Sequence, residues 1–223
     1  MATSASTSFD LSIDDIVEEA YERCGMRATS GYQLTSARRS LNILFLDWAN
    51  RGLNLWTIEQ ASESLTSNTG SFTLGTDTVN VLSAVIRDSS TGTDTDITIE
   101  RISREEYLNV PDKSTQARPS QFYVERTNTP TVYLYPSTDK AYTFVYYRIR
   151  RIQDAGDYTN NADVPFYFLP CLTAGLAYYI SLKKAPMLSA NLKAVYDEEF
   201  ERAADNDRER TSFRVEPAQS YIP

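Results

Sequence analysis

The sequence predicts an α+β fold. The expected parts are a four-helix bundle formed by N- and C-terminal helix pairs, an inserted β-rich lobe of sandwich or barrel type, and an extended C-terminal arm. Three observations predict it. Apolar residues recur at helical spacing at both ends of the chain. Between them, short runs of β-branched and aromatic residues alternate with polar turn clusters. Beyond residue 206 the periodicity stops. The expected boundaries are a flexible leader over 1–9, helical segments over 10–53 and 160–206, a β-rich lobe over 54–150, and the arm over 207–223. A chain of 223 residues is long enough for one large or two small domains with a true core.

The first helix is expected to begin at Ser12, with Asp15 three residues on in a capping-box pattern. Ile13, Ile16, Val17, Ala20 and Cys24 share one face, and Asp14, Asp15, Glu18, Glu19 and Glu22 cover the rest. Acids in the first turn favour the positive end of the helix dipole, and Gly25 is a natural stop. A turn at Thr29-Ser30-Gly31 leads to a second helix with the stripe Ala37, Leu41, Leu44, Phe45 and Trp48, ended by Gly52. Their closeness in sequence predicts an antiparallel hairpin. Helical spacing returns after Asp163, with Pro165 at the first helical position and Phe166, Leu169, Leu172, Thr173, Leu176, Ala177 and Ile180 as the apolar face. Lys183 and Lys184 sit in its last turn, and Ala185-Pro186 breaks it. A fourth helix follows, capped by Ser189, with Leu192, Val195, Tyr196, Phe200 and Ala203 inside and Glu198 supporting Arg202.

In the middle of the chain the expected strands are 54–59, 70–74, 80–87, 96–101, 121–126, 131–135 and 142–149. Residues 88–96 form a polar hairpin tip. Thr127-Asn128-Thr129-Pro130 and Pro136-Ser137-Thr138-Asp139 are turns, and 103–108 is one helical turn. In 142–149 apolar residues occupy both alternations, as in a strand covered on both faces.

Composition narrows the function. The formal net charge is −8, and no Lys/Arg excess of the kind that neutralises phosphates stands out. There is no histidine, which removes Ser-His-Asp triads, Cys-His pairs and imidazole zinc sites. Cys24 and Cys171 are far apart, each on an apolar helical face, and read as buried, reduced thiols. No phosphate-binding glycine motif occurs. Asp88, Asp94 and Asp96 have calcium-ligand chemistry, but a solvated hairpin tip accounts for them. Glu18-Glu19 and Glu198-Glu199 are acid pairs of the kind glycosidases use, and solvated helix faces account for both. Trp48 and Trp56 read as packing at one corner. No apolar run spans a membrane, and MATSASTSFD has no signal-peptide pattern. No cofactor or metal is expected, and neither is catalysis.

What remains is recognition. The 15 tyrosines suit interfaces, since the ring buries area while the hydroxyl stays wet. Arg148, Arg150 and Arg151 form the one notable basic run, a candidate contact for DNA or a neighbouring subunit, with a solvated strand end as the plainer account. In the arm, Phe213, Arg214, Val215, Tyr221 and Ile222 are candidate anchors for a partner.

Several stretches carry a family likeness. They are Ile13-Asp14-Asp15-Ile16 with Glu18-Glu19-Ala20-Tyr21-Glu22-Arg23, Gly31-Tyr32, residues 35–42, and Trp48-Ala49-Asn50-Arg51-Gly52-Leu53-Asn54-Leu55-Trp56. Later pieces are Ile102-Ser103-Arg104-Glu105-Glu106-Tyr107, Lys113 with Arg118-Pro119-Ser120-Gln121-Phe122-Tyr123, Tyr133-Leu134-Tyr135-Pro136, and Leu192-Lys193-Ala194-Val195-Tyr196. Together they resemble the head-to-tail adaptors of tailed bacteriophages, of the tail tubular protein A and head-completion type. The resemblance implies a structural virion protein of the neck, made in the host cytoplasm. It implies a twelve-subunit ring beneath the portal that extends the DNA channel, lets double-stranded DNA pass without specific binding, and seats the nozzle or another distal tail protein. It also implies that the arm over 207–223 reaches into the portal. Two other readings predict different activities: a cell-wall glycan hydrolase, and a carbohydrate-binding tail module for the host surface.

Overall fold

Ser12 opens the first helix. In the computed structural model its hydroxyl accepts from the Asp15 amide, and the Asp15 carboxylate accepts from the Ser12 amide at 3.0 Å, closing a capping box. The structure describes residues 5, 9, 11–27, 30–52 and 55–208. Helix α1 (Ile13–Arg23) buries Ile13, Ile16, Val17 and Ala20, with Cys24 buried just beyond. Gly25 follows at φ 70°, a left-handed conformation that glycine adopts without a Cβ clash. Helix α2 (Gly31–Arg51) starts with a second capping box, Ser30 with Gln33, that the sequence reading overlooked. It buries its whole expected stripe and ends at Gly52, φ 72°.

The strands are β1 (Ile58–Leu65), β2 (Ser71–Thr73), β3 (Thr78–Asp88), β4 (Thr95–Thr98), β5 (Glu100–Arg101), β6 (Gln121–Glu125), β7 (Thr131–Tyr135) and β8 (Tyr142–Arg150). They form two four-stranded sheets, ordered β1-β8-β3-β4 and β2-β7-β6-β5. Pairing is antiparallel except for β5 beside β6. Val81, Ile86 and Phe144 from the first sheet share one core with Phe122, Val132 and Leu134 from the second. No closed barrel forms among the described residues. A short helix, α3 (Arg104–Leu108), sits where one helical turn is expected, with Ser103 and Glu106 in a capping box. Strand β8 is one of the two central strands of the first sheet. It is covered on both faces around Val145 but opens at Tyr147, which is half exposed.

Two strand expectations change. The 54–59 strand is a 3-10 turn over Leu55–Thr57 followed by β1, which runs on to Leu65 through polar residues. The 96–101 strand divides between β4 and β5, in different sheets, because the chain crosses over at Ile99.

Helices α4 (Leu169–Lys184) and α5 (Ser189–Asn206) complete the chain's described elements. Every residue from 171 to 177 is buried, because α4 packs against α1, α2 and α5 together. Gly175 makes this possible: a Cβ there would meet Leu44 Cδ2 and Tyr196 Cε2, both at 2.9 Å. The expected α1–α2 hairpin is not the main contact, since each of the two packs chiefly on α4. Pro165 precedes a separate 3-10 turn, Phe166–Phe168, and the proline within the first turn of α4 is Pro170. That turn changes the helical phase, so Phe166 points outward, 64% exposed, and Phe168 is buried in its place. Ser189 is the first residue of α5 and not its cap; its hydroxyl bonds the Pro186 carbonyl. Val195, expected inside, is on the outer side of α5. Glu198 and Arg202 are paired as expected. Phe9, within the expected leader, lies against Phe166 with ring centroids 6.4 Å apart.

Candidate functional site

The three expected arginines lie at the joint between helices and sheets, and they do different things. Arg148 Nη2 is 2.5 Å from Glu59 on the neighbouring strand β1, and its Nη1 is 2.9 Å from Asp77 and 2.7 Å from the Thr78 hydroxyl. Arg150 grips Asp163 with two bonds, 2.5 and 2.9 Å, and reaches Glu59 at 3.5 Å. Both side chains are largely covered. Their charges are spent inside the chain, where they join β1, β8 and the connection to α4. The Arg151 side chain is exposed, while its backbone amide donates to the Asp77 carbonyl. Burial works against the Asp163 carboxylate, but the Arg150 guanidinium and the Gln153 amide outweigh it and hold its pKa below the ordinary 3.8.

The end of α5 is held just as firmly. Asp207 is 5% exposed and accepts from the Leu55 amide and the Tyr167 hydroxyl, both at 2.9 Å. Burial and this acceptor push the Tyr167 hydroxyl up to about 12. The same residue therefore ties the end of α5 to the start of the β segment and to the entry into α4. Beside it, Leu55, Ile58, Val79 and Ile149 line a cleft of about 570 Å³, with Asp207 and Arg208 at its edge. The candidate anchors Phe213, Arg214, Val215, Tyr221 and Ile222 lie outside the described residues.

The groups with reactive chemistry are held in structural roles. Cys171 is buried, and burial pushes its thiol up to about 12. Burial also raises Cys24, whose Sγ is 3.3 Å from the Ala177 carbonyl. At the hairpin tip Asp88 pairs with Lys140 at 2.7 Å and Asp96 with Arg87 at 2.7 Å, while Asp94 accepts from Ser89. No metal-ligating cluster occurs among the described residues, and no helix among them is long and apolar enough to cross a membrane.

The tyrosines correct a sequence expectation. Of those described, only Tyr32 and Tyr147 are exposed. Tyr21, Tyr142, Tyr146 and Tyr196 are core residues. Tyr107, Tyr123 and Tyr133 pack against each other at 5.3–5.8 Å, held by Arg104 and Glu125. Tyrosine is abundant here mainly because it fills edges of the core, where the ring packs and the hydroxyl finds a partner.

These features define an α+β protein whose polar groups hold two cores in place. A family model described as SU10 adaptor protein matches residues 13–218. The chain belongs to that family of phage head-to-tail adaptors and is thus a structural component of the virion that meets other head and tail proteins. A search of curated proteins finds no match.

Proposed function

We propose that the chain forms a ring, with twelve copies, between the portal and the distal tail, extends the DNA channel, and seats the nozzle. The observation that carries this reading is the adaptor-family match over residues 13–218. The four long helices act as a bundle that faces the head, and the two sheets act as a sandwich-like lobe offered to tail proteins. In this reading the helical mount comprises 10–53 and 160–206, the lobe 54–150, and the arm 207–223. The arm engages the portal through Phe213, Arg214, Val215, Tyr221 and Ile222, and the firm anchoring of Asp207 supports it, because an arm that carries load needs a fixed root. Of the basic run, Arg151 has the exposed head suited to DNA or a neighbouring subunit. The chain's net charge of −8, repeated around a ring, favours passage of DNA over retention. The role is structural and not catalytic. Neither the glycan-hydrolase nor the carbohydrate-binding reading gains support from the geometry of the described residues.

The test is to mix the purified chain with portal rings and image the product by electron microscopy. Twelve-fold density beneath the portal is the expected result, weakened when residues 209–223 are removed. Portal rings that stay bare with the full chain overturn the proposal.

A further inference from the structure

A ring needs one surface of each subunit to fit a different surface of the next, and the helical end of this chain carries two surfaces of opposite chemistry. The first is a groove of about 770 Å³ between α1 and the start of α4. Ile16, Leu169 and Pro170 line it together with Leu11 and Phe166, and the last two are exposed. Asp15, Glu19 and Arg23 line its edge, and Asp14, Glu18 and Glu22 extend the water-facing acidic side of α1. Arg23 is the one base on that helix, and it is already paired with Glu19 at 2.9 Å.

The second surface lies where α4 gives way to α5. Met187 is 96% exposed there, and Leu182 and Leu188 are exposed around it. Lys184 is exposed beside them, with no carboxylate partner among the described residues. Lys183 is exposed too, but its ammonium is engaged, donating to the Ser40 hydroxyl at 2.6 Å. This knob and the groove are at opposite ends of α4, a helix about 24 Å long at 1.5 Å per residue. Met187 therefore cannot fill the groove of its own chain.

We propose that the Met187 knob of one copy seats in the α1–α4 groove of the next, with Lys184 facing the α1 carboxylates. This rests on the ring reading above and names the contact that builds it. Three properties match: an apolar knob meets an apolar groove, an unpaired cation meets an acidic rim, and the two sites are distinct, as a contact that propagates around a ring requires. Methionine suits the role, since its unbranched side chain adapts to an irregular cavity.

The experiment mixes two full-length variants, Met187→Cys and Pro170→Cys, under mild oxidation, and reads the disulfide-linked species on a non-reducing gel. Cys24 and Cys171 stay silent because both are buried. A mixed dimer is expected, in excess over either self-pair. Glu19→Lys in the Pro170→Cys chain cuts its yield about tenfold, and Lys184→Glu in the Met187→Cys chain restores it. Self-pairs of Met187→Cys in excess, or no mixed dimer, overturn the inference. Portal binding is scored separately with the unmodified chain. A ring on the portal without the mixed link sinks this contact and leaves the adaptor reading standing. The mixed link with bare portals supports the contact and counts against the portal-seated ring.

Discussion

Arg150 and Asp163 have an energetic consequence that can be measured. The pair is largely covered, and the carboxylate also accepts the Gln153 amide at 3.0 Å. Asp163→Asn keeps the shape but removes the charge, and urea unfolding is expected to show a loss of about 2 kcal/mol, the scale of hydrogen bonds to a charged group. The pH dependence has a definite sign. The folded pKa of Asp163 lies below the ordinary 3.8, so its contribution is complete above that value and fades as the pH falls through the folded pKa. The melting temperature of the Asn variant should therefore drop less than that of the parent as acid is added below 3.8. An equal drop in both would show that Asp163 is not held this way. The thiols give a second check at this scale. The reactive species is the thiolate, and burial raises both Cys24 and Cys171. A thiol reagent at about pH 8 should leave the folded chain untouched and modify both sites after denaturation. Rapid native labelling would contradict the burial of these residues.

Helix α4 is the element on which the helical core depends. Its Gly175 brings α2 and α5 closer than any side chain permits. Gly175→Ala gains about 1 kcal/mol of helix propensity but forces a methyl against Leu44 and Tyr196, an overpacking that costs about 1–3 kcal/mol. A net loss of about 1 kcal/mol in denaturant unfolding is expected, and a more stable variant would refute the packing account. Most helices were legible because their stripes and stops are local: Ile13 to Cys24, Ala37 to Trp48, and Gly52 follow from spacing and backbone freedom alone. What failed depends on neighbours. Strand β1 has the polar run Glu59-Gln60-Ala61-Ser62-Glu63-Ser64 and is a strand because it lies at a sheet edge, paired on one side with β8. Phe166 and Val195 fit a helical count, but a 3-10 turn rephased the first, and nothing packs over the second closely enough to bury it. The arginine run read as a surface patch because the partners Glu59 and Asp77 are 89 and 71 positions from Arg148, beyond what spacing can reveal.

At the scale of the molecule, helices and sheets keep separate cores, and Asp207, where the proposed arm begins, is bonded at the joint between them. Cutting the chain after Arg208 should leave thermal stability unchanged while weakening the portal docking proposed above. Cutting after Asn206 also deletes Asp207, and the Leu55 amide and Tyr167 hydroxyl then lose their acceptor, at a cost of about 1–3 kcal/mol. Thermal melts of the two truncations separate a purely external arm from one whose base belongs to the fold, and equal stabilities would place Asp207 outside it.

The central position of α4 also fixes an order of events during synthesis. Helices α1 and α2 leave the ribosome long before their packing partner, and the whole β segment is made in between. Until residue 184 emerges, Leu41, Leu44 and Trp48 have no completed core to enter, so the nascent chain carries an oily face through most of its translation. Ribosome-arrested chains ending near residue 160 should recruit a general chaperone that chains arrested far enough beyond residue 206 to expose α5 do not.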